Sequence, residues 1–229
     1  MKKRVFKQPR AEATFEAIVS AAPQVFASKG FDGTQTGDVA RAAGISTGAV
    51  YQYFTDKRAI FLEVLRRHRV WSRQEVDRRL DLEVFATLSP RDAIGSAIDV
   101  LFTVIERHAG LNRVYLALSF TDPEVAKMRA ESEAEERTLL AGLIRALVPP
   151  DAVPDPDAAA TVIQSAALEV AVFRAKLRTR AGAPVNDAAL RAALVDMIHR
   201  YLFSARSEAA AAPRKRARDG RSTARRGSP

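Results

Sequence analysis

The stretch Gly-Ile-Ser-Thr-Gly-Ala-Val-Tyr-Gln-Tyr-Phe at residues 44–54 combines hydroxyl and amide groups with small residues, and it carries no charge. On a helix that buries Val50, at about 100° per residue, Gly48 and Gln52 lie on the opposite side. Tyrosine hydroxyls can donate to phosphate oxygens, an amide can bond to a base edge, and an alanine methyl can contact thymine. These residues support hydrogen-bonded recognition of a nucleic-acid groove.

The candidate DNA-contacting residues lie on this stretch and on the segments beside it. Small residues at the front of the helix allow the backbone to come close to a groove. Thr36 lies near the start of the preceding helix and Lys57 in the first turn of the following one, where both are placed to bind phosphates. The full set is Thr36, Gly37, Thr47, Gly48, Ala49, Tyr51, Gln52, Tyr53 and Lys57.

Two short predicted helices around Gly44 have the spacing of a helix-turn-helix. Ala40 and Ala43 are small enough for another helix to cross closely. Gly44 permits a positive φ in the turn, and Ile45 can plug the turn from inside. Ser46 is the predicted N-cap of the second helix. The second helix is therefore positioned to enter a major groove.

Helical periodicity continues through the rest of the chain, and no segment has a strand pattern. A first helix ends at Gly30, and Thr55 is the predicted cap of a long helix from Asp56 to about residue 80. Further helices are predicted from residue 90, at 123–148, at 157–180 and at 187–206. The predicted fold is all-α, with an N-terminal three-helix helix-turn-helix DNA-binding domain at 11–56 and a C-terminal helical bundle for ligand binding and dimerisation at 57–206.

The last two predicted helices carry apolar residues on more than one face. One apolar stripe is enough to join a core, so a second stripe indicates contact with another copy of the chain. Ala167, Leu194 and Ile198 are the candidate interface residues. A central position in a monomeric bundle would also explain the pattern.

The net charge of +9 lies almost wholly at the two ends, since residues 1–10 and 207–229 contribute +5 each. Such basic arms favour a polyanionic partner, although they could also serve only solubility. The segment at 207–229 has no large apolar residue, and we expect it to be disordered. An architectural protein that coats DNA with little specificity is therefore the alternative to a sequence-specific regulator.

Other chemistries find little support in the sequence. His68, His108 and His199 lie far apart without ligand spacing, and no phosphate-binding glycine loop or nucleophile motif is present, so we expect neither a metal, nor a cofactor, nor an enzyme. The chain has no cysteine, which favours a reducing compartment. Because the basic start is not followed by an apolar run and no segment could span a membrane, we expect a cytoplasmic protein.

Residues 30–65 resemble the DNA-binding domain of the TetR/AcrR family of bacterial transcriptional regulators. The resemblance rests on the Gly-Phe after the first helix, the Ala-Ala-Gly-Ile-Ser-x-Gly turn, the Tyr-x-Tyr-Phe and the following lysine. Gln35 departs from the family, which usually has Ser or Thr there, and Tyr53 stands where histidine is common. Both departures leave the operator sequence open.

The resemblance implies a transcriptional regulator, usually a repressor, that binds a palindromic operator as a homodimer through the last two helices. It also implies a pocket for a small-molecule effector among the central helices, and an effector-driven movement of the long helix from Asp56. The aromatic and histidine residues on these helices are the candidate pocket residues, although such residues are often ordinary core. They are His68, Trp71, Phe102, Tyr115, Phe120 and Phe173.

Overall fold

The computed structural model describes residues 8–79, 87–177 and 185–203, which form α-helices and no strand. The helices are α1 (Pro9–Lys29), α2 (Thr36–Ala42), α3 (Thr47–Tyr51), α4 (Lys57–Arg79), α5 (Pro90–Arg107), α6 (Ala109–Leu118), α7 (Pro123–Leu147), α8 (Pro156–Arg174) and α9 (Asp187–Phe203). The all-α prediction is confirmed. Residues 1–7 of the predicted basic arm and the whole predicted tail at 207–229 lie outside the described residues.

Three helix ends differ from their predictions. α3 ends at Tyr51, so Gln52 and Tyr53 follow the helix. α4 begins one residue later than predicted, because Asp56, and not Thr55, caps it through a 2.7 Å hydrogen bond from the Ala59 N–H to Oδ1. α8 ends at Arg174 instead of near 180. Lys176, just beyond it, has a φ of 53°, which lies in the left-handed region and is incompatible with a continued right-handed helix.

One core joins α1, α2 and α3 to α4 and α6. Phe26 lies at its centre, fully buried, with its ring stacked on Phe31 at 6.0 Å and edge-on to Phe61 at 4.9 Å. α6 lies unusually close to α1, because a Cβ atom at Gly110 would be only 2.6 Å from the Ala27 Cβ. The α1–α3 unit is therefore packed directly against the C-terminal helices.

A second core lies among α5, α7, α8 and α9, with Phe102, Ala141, Ile163 and Leu194 among its buried residues. α5, α7 and α8 start in the same way. In each, the side chain of the N-cap residue accepts a hydrogen bond from the backbone, and a proline follows at the first helical position. The N-cap residues are Ser89, Asp122 and Asp155. The caps match the Ser-Pro and Asp-Pro pairs in the sequence.

Candidate nucleic-acid interface and apolar pocket

α3 presents an uncharged, exposed surface that begins with small residues. The Ser46 Oγ accepts a hydrogen bond from the Ala49 N–H at 3.2 Å and fixes the start of the helix. Val50 is fully buried, whereas Tyr51 is 56% exposed and Thr47 is also exposed. The side of α3 that faces solvent is thus the side predicted to enter a groove.

The turn that precedes α3 is held by its own backbone. Gly44 has a φ of 69°, a conformation that favours glycine. The Ile45 N–H donates to the Ala40 carbonyl at 3.0 Å, and Gly44 N–H donates to the Arg41 carbonyl at 3.2 Å. α2 and α3 therefore keep a fixed relative orientation, as a helix-turn-helix requires.

The remaining candidates beside α3 differ in how much surface they offer. Gln52 is exposed, whereas Tyr53 is half-buried, with its ring 6.2 Å from that of Phe15. Thr36 is buried at the start of α2, so little of its side chain could reach a phosphate. Gly37 faces α3, since a Cβ there would lie 3.5 Å from the Thr47 Oγ1.

Lys57 occupies a different position from the one expected for a phosphate contact. Its ammonium donates to the carbonyls of Phe31, Asp32 and Thr34 at 2.9, 3.1 and 3.0 Å. These bonds use all three N–H donors of the group. Lys57 therefore ties α4 to the turn between α1 and α2, and no donor is left for DNA in this arrangement.

Arg41 is a surface cation outside the predicted set of DNA-contacting residues. It lies near the end of α2, with its side chain 81% exposed and Nη1 at 3.5 Å from the Asp38 carboxylate. Asp38 is engaged more closely by Lys29 at 2.6 Å, which lowers the pKa of this carboxyl. The position of an arginine in the last turn of α2 is the signal that could have identified it.

A pocket of about 370 Å³ lies in the second core, between α5, α7, α8 and α9. Its lining includes Ile94 and Ala97 of α5, Ile144 of α7, Ala167 of α8 and Ile198 of α9. Every described residue that lines it is apolar. The size is typical of a small-molecule site.

None of the six predicted ligand-binding residues lines this pocket. Phe102 is buried under the Arg174 guanidinium, 4.3 Å from its ring centroid, and Phe120 is 71% exposed. Tyr115 packs against the first core, where burial raises its pKa to about 12. Phe173 is half-buried on α8. These aromatic rings lie in the cores or at the surface, as the alternative interpretation allowed.

The other two predicted ligand-binding residues are His68 and Trp71. They belong to a cluster that joins α4 to α5 and α6. The Trp71 ring lies 4.5 Å from that of His108. The His68 Nε2 is 3.0 Å from the Asn112 Oδ1, and the Asn112 Nδ2 donates to the Ile105 carbonyl at 2.9 Å. Burial, with a smaller contribution from the nearby His108, lowers the pKa of His68 to about 4.

The buried His68 should make the protein less stable in mild acid. Its pKa falls from about 6.5 in the unfolded chain to about 4 in the folded one, so the unfolded state binds more protons between these values. The free energy of unfolding should therefore fall by about 2 kcal/mol between pH 7 and pH 5 through this group. Denaturant unfolding should show a flatter pH dependence for His68→Gln. Equal slopes for His68→Gln and the unmodified chain would contradict the assignment.

The predicted dimer residues lie inside the chain's own second core. Ala167, Leu194 and Ile198 are all buried there, and a charge at Leu194 would oppose folding of the single chain. Exposed apolar side chains do remain on the same two helices, at Val162, which is 61% exposed, and on α9 at Met197 and Tyr201.

Ion pairs connect α4 to α7. The Arg58 guanidinium binds both carboxylate oxygens of Asp122, at 2.6 and 2.8 Å, and this holds the pKa of Asp122 down at about 2. Farther along α4, Arg69 contacts Glu131 at 3.1 Å and Glu135 at 2.5 Å. α7 thus contacts α4 at one end and lines the pocket at the other.

Within 8–79, 87–177 and 185–203, no group of three or more potential ligand side chains could hold a metal ion. In the same part of the chain, no helix has the length and apolar character to cross a membrane.

Two family models match the chain. The model described as bacterial regulatory proteins, tetR family, matches residues 18–64. The model described as tetracyclin repressor-like, C-terminal domain, matches residues 89–202. Together they cover both the helix-turn-helix and the C-terminal helices.

Curated relatives match mainly in shorter stretches. The HTH-type transcriptional regulator AcrR of Shigella flexneri is 32% identical over 97 residues, which is 42% of each chain. The HTH-type transcriptional repressor BepR of Brucella suis is 40% identical over 65 residues, 28% of this chain and 31% of BepR. The chain therefore spans less than half the length of these relatives.

Solved structures share the fold over most of the chain. A transcriptional regulator from Rhodococcus sp. RHA1 has a TM-score of 0.66 and 22% identity, and the match covers 82% of this chain and 95% of that one. The structure of AibR in complex with isovaleryl coenzyme A and operator DNA has a TM-score of 0.56 and 13% identity, covering 80% and 97%.

Proposed function

We propose that this chain acts as a ligand-responsive repressor, because it belongs to the TetR family of bacterial regulatory proteins. Members of this family are DNA-binding transcriptional regulators, typically repressors, and not enzymes. This chain is a cytoplasmic repressor that binds a palindromic operator as a homodimer. A small-molecule effector that occupies the apolar pocket releases it from DNA. The observation that carries the proposal is the exposed, uncharged surface of α3 behind a rigid turn.

In this proposal the start of α3 enters the major groove. Thr47, Gly48 and Ala49 allow close approach, Gln52 contacts a base edge, and Tyr51 donates to a phosphate. Lys57 holds the turn between α1 and α2 in place. Arg41, exposed on α2, supplies a cation beside the groove.

The homodimer forms through α8 and α9. The exposed Val162, Met197 and Tyr201 supply the apolar contact, in place of the buried Ala167, Leu194 and Ile198. A two-fold axis then presents two copies of α3 to successive turns of the duplex, about 34 Å apart. The operator is consequently an inverted repeat.

α7 carries the response from the pocket to α4. Its Ile144 lines the pocket, and its N-cap residue Asp122 accepts hydrogen bonds from Arg58 at the start of α4. A shift of α7 on effector binding would move α4 and change the distance between the two α3 helices. AibR, with which this chain shares its fold, has been crystallised with isovaleryl coenzyme A and operator DNA, and this supports the combination of effector and operator sites.

Selection from a randomised DNA library tests the proposal. The full-length protein should enrich an inverted repeat whose half-sites lie about one helical turn apart. An architectural DNA-coating protein would instead enrich no defined sequence. A single unrepeated site would contradict the dimeric arrangement.

Replacing Tyr51 by alanine should weaken binding to the selected operator by about 1–3 kcal/mol, because its ring and hydroxyl lie on the side that faces the DNA backbone. Tyr51→Phe, which removes only the hydroxyl, should lose less. Fluorescence anisotropy measures the affinities, and circular dichroism checks that helicity is kept. Unchanged affinity in Tyr51→Ala would remove this residue from the interface.

Val162→Glu should weaken the dimer at least tenfold, because it places a charge in the proposed apolar contact. Since the side chain is 61% exposed in the single chain, the monomer should stay folded. Analytical ultracentrifugation measures the dissociation constant. The matched control is Val70→Glu on the exposed side of α4, which should leave the dimer unchanged; equal behaviour of the two variants would place the contact elsewhere.

A further inference from the structure

The pocket has no polar anchor among the described residues. Small-molecule sites usually place a few polar groups among apolar ones, but here Phe203 is the one lining residue among those described that is not aliphatic. The two arginines next to the lining in sequence are already engaged, since Arg91 pairs with Asp196 and Arg145 with Asp157. A charged ligand group inside the pocket would lose its water without gaining a hydrogen bond from a described lining side chain, which favours a position outside for such a group.

The pocket is elongated and opens to solvent. It follows α5 from Pro90 to Leu101, a distance of about 16 Å at 1.5 Å per residue. Ala97 on α5 leaves room in the lining because its side chain is small. Leu88 and Leu147 line the pocket and are also exposed, so they mark its mouth. A long slot with an open mouth fits an extended alkyl chain better than a compact ring system.

We infer that the effector is a molecule with a long, unbranched alkyl or acyl chain, which lies in this pocket while its polar end stays at the mouth. The identification of this ligand as the effector rests on the proposed function, whereas its chemical class rests on the lining. Recognition is by apolar burial along the slot. Inside the slot the head group would gain no hydrogen bond from a side chain, because every described lining side chain is apolar.

Titration calorimetry with a series of fatty acids tests the class of ligand. Octanoate, decanoate, dodecanoate and tetradecanoate, each kept below its micelle concentration, should bind with affinities that rise about threefold to fourfold per methylene until the slot is full. Adamantane carboxylate, a compact apolar acid, should bind far more weakly than dodecanoate. Affinities that do not depend on chain length would overturn the inference.

The head group is tested with dodecanoate and dodecyltrimethylammonium, which carry opposite charges on the same chain. Both should bind within about tenfold of each other, because the charged end remains in water. A preference of a hundredfold or more for one sign would reveal a charged anchor and overturn the placement of the head group outside.

A variant that fills the slot tests the location. Ala97→Phe should abolish dodecanoate binding, whereas Ala130→Phe on the exposed surface of α7 should not. If Ala97→Phe does not fold, the smaller Ala97→Val should still weaken binding in proportion to the lost space. If the unmodified protein binds no chain and Ala97→Phe converts dimers to monomers, the pocket belongs to the contact between copies and the inference is wrong.

Two readouts keep this inference separate from the proposed function. If dodecanoate binds but does not release the protein from the selected operator, the class of ligand is supported and its role as effector is contradicted. If the protein binds its operator specifically but binds none of the fatty acids, the proposed regulatory function stands and the inference is overturned.

Discussion

Gly48→Glu is expected to lower affinity for the selected operator by a hundredfold or more while the protein stays folded. Gly48 lies on the exposed start of α3, and the atom nearest to an added Cβ is the Ser46 Oγ at 4.0 Å, so the folded chain has room for the side chain. Glutamate also favours a helix over glycine and suits a helix N-terminus. In the complex, however, its bulk and negative charge would face the groove and the phosphates.

Gly142→Glu provides the matched control. Gly142 is exposed on α7, has no atom within 4 Å of an added Cβ, and receives the same change in charge. Its operator affinity should stay within about twofold to threefold of the unmodified chain. Fluorescence anisotropy at fixed salt compares the two. If both variants weaken binding equally, the effect comes from net charge and α3 does not approach the DNA closely.

Lys57→Met should lower the free energy of unfolding by about 2–4 kcal/mol. The substitution keeps the length of the side chain but removes the ammonium from the carbonyls of Phe31, Asp32 and Thr34. Hydrogen bonds to a charged group contribute about 1.5–3 kcal/mol each, and the freed carbonyls regain only part of this from water. The orientation of α2 and α3 depends on the same turn, so operator affinity should fall as well.

The control for Lys57 is Lys29→Met, which breaks the surface ion pair with Asp38. That lysine is about half exposed, and we expect its loss to change stability by less than about 1 kcal/mol. Urea denaturation compares the variants. If Lys57→Met keeps full stability and lowers the salt dependence of DNA binding by about one unit, its ammonium binds phosphate in the complex, as the sequence first indicated.

The helix-turn-helix could be predicted from sequence because its determinants are local. The spacing of Ala40, Gly44 and Val50 specifies two helices and the turn between them within eleven residues. Side-chain exposure on α3 follows from the same periodicity. The role of Lys57 could not be predicted, because its partner carbonyls lie 23–26 residues away and belong to a turn with no side-chain signal.

The pocket could not be located from sequence because four helices form it. The predicted pocket residues are mostly aromatic, but Phe102 packs under Arg174 and Phe120 lies at the surface. The lining consists of aliphatic residues such as Ile94 and Ile144, whose stripes look the same whether they face a neighbouring helix or an empty slot. In the same way, the second apolar stripe of α8 and α9 largely belongs to the chain's own core.

The ratio of affinities for the selected operator and for a random duplex of the same length tests the central claim most directly. Both are measured with the full-length protein at the same near-physiological salt concentration. A sequence-specific regulator that reads DNA through α3 should prefer its operator by a thousandfold or more. A ratio near one, with strong salt dependence on both duplexes, would show that the basic chain binds DNA only through its phosphates and would contradict the account.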